Sequence, residues 1–262
     1  MNEYLPFSSE IVEVVKETEI ESTFRMAYEG EAKPGQFFQV SIPKFGEAPI
    51  SVSGLGKGYI DLTIRKIGRV TDEVFNYTKG GKLFLRGPYG NGFDVELYKG
   101  RELVVVAGGT GLSPVKGVVD YFAQNTAELS GFSLIAGFKS PQDILFKKEM
   151  EAWQKKLNVV LTVDNAQDGY SGNVGLVTQF IPELKIESIA DVQVIIVGPP
   201  VMISFAAKEF LKRGVPTKNI WISLERRMSC GIGKCGHCKI DDVYICLEGP
   251  VFNYEKGVEL ID

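Results

Sequence analysis

From residue 8 to 96, hydrophobic and polar positions alternate in short runs at 11–15, 23–27, 37–42, 60–66 and 83–86. The runs are punctuated by Pro34-Gly35, Pro43, Gly56, Gly58 and Gly80-Gly81. Short alternating strands between glycine and proline turns predict an antiparallel barrel or sandwich, because alternation buries one face of each strand and the turns reverse the chain. One short helix is predicted at 74–77.

Near residue 99 the texture changes. Continuous apolar runs at 103–107, 132–136, 159–163 and 194–197 are each followed by a helical stretch, at 114–124, 144–156, 176–181 and 201–212. Strands that are apolar throughout, alternating with amphipathic helices, predict a parallel sheet covered on both faces. A last short strand is expected at 220–223. The glycine- and cysteine-rich tail cannot fill a core of its own, so a metal centre is expected to hold it. Three regions follow: 1–98, 99–223 and 224–262.

Composition narrows the function. Of 262 residues, 44 % are hydrophobic and 24 % charged, which is ordinary for a globular chain. The net charge of -4 provides no global basic field and argues against nucleic acid as the main partner. The first ten residues lack the basic and apolar regions of a signal peptide, and no apolar run is long enough to span a bilayer, so a cytoplasmic chain without membrane insertion is expected. In a reducing compartment cysteines serve as metal ligands or catalytic thiols more often than in disulfides.

The only four cysteines are Cys230, Cys235, Cys238 and Cys246. Their C-x4-C-x2-C array with a fourth cysteine further on is the spacing of plant-type [2Fe-2S] ligation. Gly231, Gly233 and Gly236 give the loop the backbone freedom that wrapping a cluster requires. Structural zinc is the alternative, although it usually takes two C-x2-C knuckles and only one is present. The single histidine, His237, reads as a neighbour of the site rather than a ligand.

A second candidate site lies in the middle region. The strand at 103–107 runs into Gly108-Gly109-Thr110-Gly111 and then a helix, a junction whose backbone N–H groups suit a pyrophosphate. It departs from G-x-G-x-x-G, and glycines at such a junction can serve packing alone. No acid closes the second strand, so Asp164, closing the third, becomes the candidate for the ribose. Gly198-Pro199-Pro200 closes the fourth. Two loops and Asp164 along one carboxyl edge predict a dinucleotide site.

Taken in order, GEAPISVSG, DLTIRKIGRVTDEVF, LRGPYGNGFDV, GLSPVKGVV, AGFKSPQDILF, IIVGPPVM and SCGIGKCGHCKIDDVYIC resemble the ferredoxin-NADP reductase superfamily. The resemblance is to the branch with a C-terminal [2Fe-2S] module, which includes electron-transfer subunits of dihydroorotate dehydrogenase, gamma subunits of nickel-iron hydrogenases and, most similar end to end, the B subunit of anaerobic sulfite reductase. It implies a Greek-key FAD-binding barrel, a Rossmann-like NAD-binding domain and a small iron-sulfur module. It also implies that Ser51 lies near the flavin N5, with Pro49, Ile50 and Val52 on the same strand. Thr63, Ile64 and Arg65, followed by Gly68, Val70 and Thr71, would hold the rest of FAD. The family's pyrophosphate arginine is replaced by Ala48, with Arg65, Lys66 or Arg69 as possible substitutes, and Val197 stands where many relatives have a cysteine.

The implied activity is oxidation of NADH through FAD and the cluster. A siroheme and iron-sulfur catalytic subunit and a ferredoxin-like iron-sulfur subunit are the implied partners, and sulfite the substrate they reduce. A hydrogenase or dihydroorotate dehydrogenase partner is the alternative. A zinc-stabilised nucleotide-binding sensor is the non-enzymatic one.

Overall fold

The structure, a computed structural model, describes residues 4–166 and 169–261. Its contacts gather into two compact units, one running to Phe93 and including Glu225–Val251, the other comprising Asp94–Leu224 and the chain from Phe252 onward. The regions read from the sequence are divisions by chemistry. By packing, most of the cysteine-bearing tail belongs with the barrel.

The first unit is built on β1 (Phe7–Lys16), β2 (Glu21–Ala27), β3 (Phe37–Ile42), β4 (Gly46–Gly56), β5 (Tyr59–Arg65), the helix α1 (Arg69–Val74) and β6 (Lys82–Tyr89). The strands close into an antiparallel barrel in the order β1-β2-β5-β4-β3-β6. Alternation turns Phe24, Met26, Phe38, Val40, Val52, Leu62, Ile64 and Leu85 into its interior.

Hydrophobic alternation alone misses β4, because Gly46, Pro49, Gly54 and Gly56 break the pattern. It pairs with β3 over 46–51 and with β5 only from Val52, so Pro49 sits where one side of the strand carries no ladder. That is where a strand tolerates proline.

The helix expected at 74–77 forms earlier, as α1. The Thr71 hydroxyl accepts the N–H groups of Ile67 and Gly68 at 3.1 and 3.0 Å and donates to the Gly68 carbonyl at 3.0 Å. This closed turn starts the helix ahead of the apolar residues that suggested it.

The second unit contains β7 (Glu102–Gly108), α2 (Leu112–Gln124), β8 (Gly131–Phe138), α3 (Lys147–Gln154), β9 (Asn158–Val163), β10 (Asn173–Val174), α4 (Val177–Phe180), β11 (Gln193–Val197), α5 (Pro200–Lys212) and β12 (Ile220–Ser223). The tail adds a two-stranded hairpin, β13 (Lys239–Ile240) with β14 (Val243–Tyr244), then α6 (Ile245–Glu248) and β15 (Val251–Asn253). The large sheet has the order β10-β9-β8-β7-β11-β12-β15, with parallel pairing from β10 through to β12.

From β7 the chain adds strands on one side and then returns to add β11 and β12 on the other. The junction of β7 and β11 is therefore the topological switch point, where open parallel sheets bind ligands. Helices α3 and α4 are shorter than their apolar stretches predict; Ile144, Leu145 and Phe146 are buried before α3 begins. No helix among the described residues is long and apolar enough to cross a membrane.

Candidate functional site

The cysteine loop is shaped by glycines where the backbone demands them. Gly231, Gly233 and Gly236 have φ of +78°, +68° and +80°, which L-residues with side chains rarely adopt. The resulting curl turns N–H groups onto sulfur: Gly233 donates to Cys246 Sγ at 3.2 Å, and Lys234 and Cys235 donate to Cys230 Sγ at 3.3 and 3.4 Å. Cys230, Cys238 and Cys246 are buried and Cys235 is exposed.

Among the described residues no three His, Cys, Asp or Glu side chains gather as a single-ion site. The four thiols all lie within one short segment of chain, with backbone N–H groups turned onto the sulfurs of Cys230 and Cys246. Four cysteine sulfurs on a glycine-curled loop that aims N–H groups at them are the donor set of a sulfur-ligated iron cluster, so the residues fit that group. The backbone N–H of His237 lowers the pKa of the Cys235 thiol. Burial pushes the Cys246 thiol up to about 12, and metal binding would displace that proton.

Arg86 on β6, which is not among the residues singled out from the sequence, ties this loop to the barrel. Its guanidinium, only 5 % exposed, meets Glu47 with Nε to Oε1 at 3.0 Å and Nη2 to Oε2 at 2.6 Å. Nη1 donates to the Tyr89 hydroxyl at 3.1 Å and to the Cys230 carbonyl, and Nη2 donates to the Ser229 carbonyl at 2.6 Å. Beside it, the Gln39 amide donates to the Met228 carbonyl. Asn91 donates to the carbonyls of Glu248 and Val251 at 3.0 and 2.7 Å. A charged residue directly after the apolar run Leu83-Phe84-Leu85 was the signal that could have marked Arg86.

The barrel residues expected at FAD divide by orientation. On β4, Ile50 and Val52 pack into the barrel core, so alternation turns Pro49 and Ser51 to the outside. Ile64 is likewise a core side chain, and Val52 and Ile64 could meet a ligand only through their backbone. Thr63 engages its hydroxyl with Ser53 at 2.8 Å and Thr23 at 2.9 Å.

Of the three candidate cations, Arg65 is drawn to Glu21 at 3.4 Å and Lys66 lies 6.0 Å from the Phe75 ring. Arg69 reaches back to the start of β4, donating to the Lys44 carbonyl at 2.7 Å and lying over Phe45. At Gly68 an added Cβ would meet nothing within 4 Å, and at Gly46 it would meet Val70 at 3.5 Å. The turn from Gly68 to Thr71 therefore offers open backbone next to β4, which fits a phosphate.

In the second unit, the turns after β7 and β11 touch backbone to backbone. A Cβ on Gly111 would lie 2.6 Å from the Val197 carbonyl oxygen and 2.9 Å from Gly198 Cα. Gly109, at φ +55°, faces open space, and the Ser113 hydroxyl in the first turn of α2 is buried without a hydrogen-bond partner. Open glycine backbone ahead of a 13-residue helix fits a pyrophosphate. Gly108 and Gly198 both lie against Met202, while Pro199 and Pro200 lead into α5. Thr110 lies in the single turn between β7 and α2. Asp164 follows β9 at the same carboxyl edge, its N–H on the Phe138 carbonyl at 2.8 Å; desolvation raises its pKa and Lys139 opposes the rise.

Comparison with known proteins finds a family match for each of these two regions of the chain. Residues 105–208 match the model of an oxidoreductase NAD-binding domain, and residues 225–257 match the iron-sulfur cluster binding domain of dihydroorotate dehydrogenase B. The chain is 37 % identical to sulfhydrogenase 1 subunit gamma of Pyrococcus furiosus, over 97 % of this chain and 92 % of that protein. It is 33 % identical to a probable dihydroorotate dehydrogenase B (NAD(+)) electron transfer subunit of Thermoplasma volcanium, over 94 % and 88 % of the two chains.

Among solved structures, an NADH-dependent reduced ferredoxin-NADP oxidoreductase studied for flavin-based electron bifurcation superimposes with a TM-score of 0.78 at 25 % identity, covering 94 % of this chain and 88 % of that one. FAD, NAD(H) and an iron-sulfur cluster are the cofactors that this barrel, sheet and cysteine loop carry. The chain belongs to the ferredoxin-NADP reductase-like family of oxidoreductases, among the members with a C-terminal iron-sulfur domain of the dihydroorotate dehydrogenase B type.

Proposed function

We propose that this chain is the NADH-oxidising electron-transfer subunit of a multi-subunit oxidoreductase, with a hydrogenase as its catalytic partner. The observation that carries the reading is the cysteine loop: four thiols on a curled segment, met by backbone N–H groups and anchored through Arg86 to the barrel that bears Pro49 and Ser51. When bound, FAD accepts a hydride from NADH and the [2Fe-2S] cluster accepts electrons one at a time, which together connect a two-electron donor to a one-electron acceptor.

The residues of the chain supply binding and orientation. Gly108, Gly109, Thr110 and Gly111, with Gly198, Pro199 and Pro200, receive the dinucleotide at the switch point, and Asp164 accepts from its ribose hydroxyls. Pro49 and Ser51 on the outer face of β4, with the backbone of Ile50, Val52 and Ile64 and with Thr63 and Arg65, would receive the flavin. Val70 and Thr71 present backbone N–H groups to its phosphates, and Gly68, whose own N–H is held by Thr71, leaves room beside them. Cys230, Cys235, Cys238 and Cys246 ligate the cluster. NADH is the expected donor, because residues 137–145 offer Lys139 but no arginine for a 2′-phosphate, and Asp164 favours a free hydroxyl. The cytoplasm is the compartment in which this thiol set would stay reduced and ready for iron.

Support for the partner comes from the relatives. Two sulfhydrogenase gamma subunits are 37 % and 36 % identical to the chain, against 28–33 % for the dihydroorotate dehydrogenase B electron transfer subunits, which form the nearest rival reading. A sulfite reductase with a siroheme subunit, which the sequence motifs also resemble, gains no support from these relatives. Native purification from the source cells, with identification of the co-purifying chains, tests the proposal. Hydrogenase subunits are the expected companions; a siroheme protein in stoichiometric amount would overturn the assignment of partner.

A further inference from the structure

Arg86 follows the alternating stretch 82–85 of β6 and is itself buried, and burying a guanidinium there is costly unless every donor is satisfied. All five of its N–H donors have partners. Two of those partners are the backbone carbonyls of Ser229 and Cys230, and the latter belongs to the first cysteine of the loop. The anchoring carboxylate, Glu47, sits on β4 two residues before Pro49. The clamp continues into the next residue, since a Cβ on Gly231 would lie 2.6 Å from the ring of Tyr89, which itself bonds Arg86.

We infer that Arg86, held by Glu47, is a positioning residue for the cluster: it fixes the Ser229–Cys230 backbone and sets the cluster's reduction potential. The inference rests on the cluster assignment made above. A reduced cluster carries one more negative charge than an oxidised one, and cluster potentials respond to nearby charge and hydrogen bonding. The guanidinium is in direct contact with the carbonyl of a ligand residue and stabilises the reduced form. Glu47 lies on the guanidinium rather than on the loop, so its carboxylate partly cancels that field from further away. Removing the two charges therefore has opposite effects. A lysine would keep the charge but could not span two carbonyls and a carboxylate with one ammonium group.

The test is a redox titration of the cluster in the purified full chain, followed by its visible circular dichroism and electron paramagnetic resonance, for Arg86→Met, Arg86→Lys and Glu47→Gln, with flavin content as the control. Arg86→Met is expected to lower the potential by roughly tenfold in the one-electron equilibrium constant, about 59 mV. Glu47→Gln is expected to raise it. Arg86→Lys should shift the potential less than Arg86→Met while broadening the resonance.

A merely structural clamp would give both Arg86→Met and Glu47→Gln shifts of the same sign, or none, and either result overturns the inference. If Arg86→Met retains no iron, the sign of the Glu47→Gln shift decides: upward supports the inference, and no change or a downward shift overturns it. A wild-type chain that binds no cluster would instead overturn the underlying functional reading.

Discussion

Gly231 and Gly236 have nearly the same backbone, at φ +78° and +80°, but different surroundings. A side chain at Gly236 would meet nothing within 4 Å, whereas one at Gly231 would be pressed into the Tyr89 ring at 2.6 Å. Alanine at either site incurs the strain of a left-handed conformation, roughly 1–2 kcal/mol. At Gly231 it also overpacks the contact between loop and barrel, adding about 1–3 kcal/mol. Gly231→Ala should therefore lower the unfolding midpoint and the iron content more than Gly236→Ala does. Thermal unfolding and iron analysis of the two variants check this, and equal losses would show that the Tyr89 contact can give way without cost. The cysteines themselves were legible in the sequence because their spacing is local. Arg86 was not, since the carbonyl it holds lies 144 positions along the chain.

At the scale of elements, the dinucleotide edge depends on β7 and β11 lying side by side, with Val197 opposite Ala107. Gly111→Ala would drive a methyl group into the Val197 carbonyl and Gly198 Cα, which are backbone atoms and cannot rotate away. The expected result is a loss of about 1–3 kcal/mol in stability and a raised KM for NADH, with flavin and iron contents unchanged. Calorimetry and steady-state dye reduction measure the two effects; wild-type values in both would mean that the turns do not form one site. The central strands β7, β8 and β11 could be read from the sequence because each is an apolar run buried over most of its length, whereas β10 and β15 are only two and three residues long and leave no such run. Alternation alone did not show β4, which only the family resemblance marked as a strand, because its glycines and Pro49 interrupt the pattern and its pairing switches from β3 to β5 partway along. The start of α1 was also hidden, since it depends on the three hydrogen bonds of one threonine hydroxyl rather than on hydrophobic period.

At the scale of the whole molecule, the chain carries sites for a hydride donor, a flavin and a one-electron acceptor. All four cysteines are assigned to one cluster and the single histidine stands among them, so no further set of soft ligands is left for a terminal reductase centre. The isolated chain is accordingly expected to pass electrons from NADH to an artificial one-electron dye but to form no sulfide from sulfite, and sulfide production without partners would refute this division of labour. The most direct test of the central claim is an anaerobic titration of the purified chain with NADH, followed by visible absorption and electron paramagnetic resonance. The account predicts that flavin absorbance and the broad iron-sulfur envelope bleach together as NADH is added, and that a reduced-cluster resonance grows and is lost when any one of the four cysteines is replaced by serine. A colourless chain, or a flavin that NADH reduces while the cluster stays oxidised in the presence of excess donor, would contradict it.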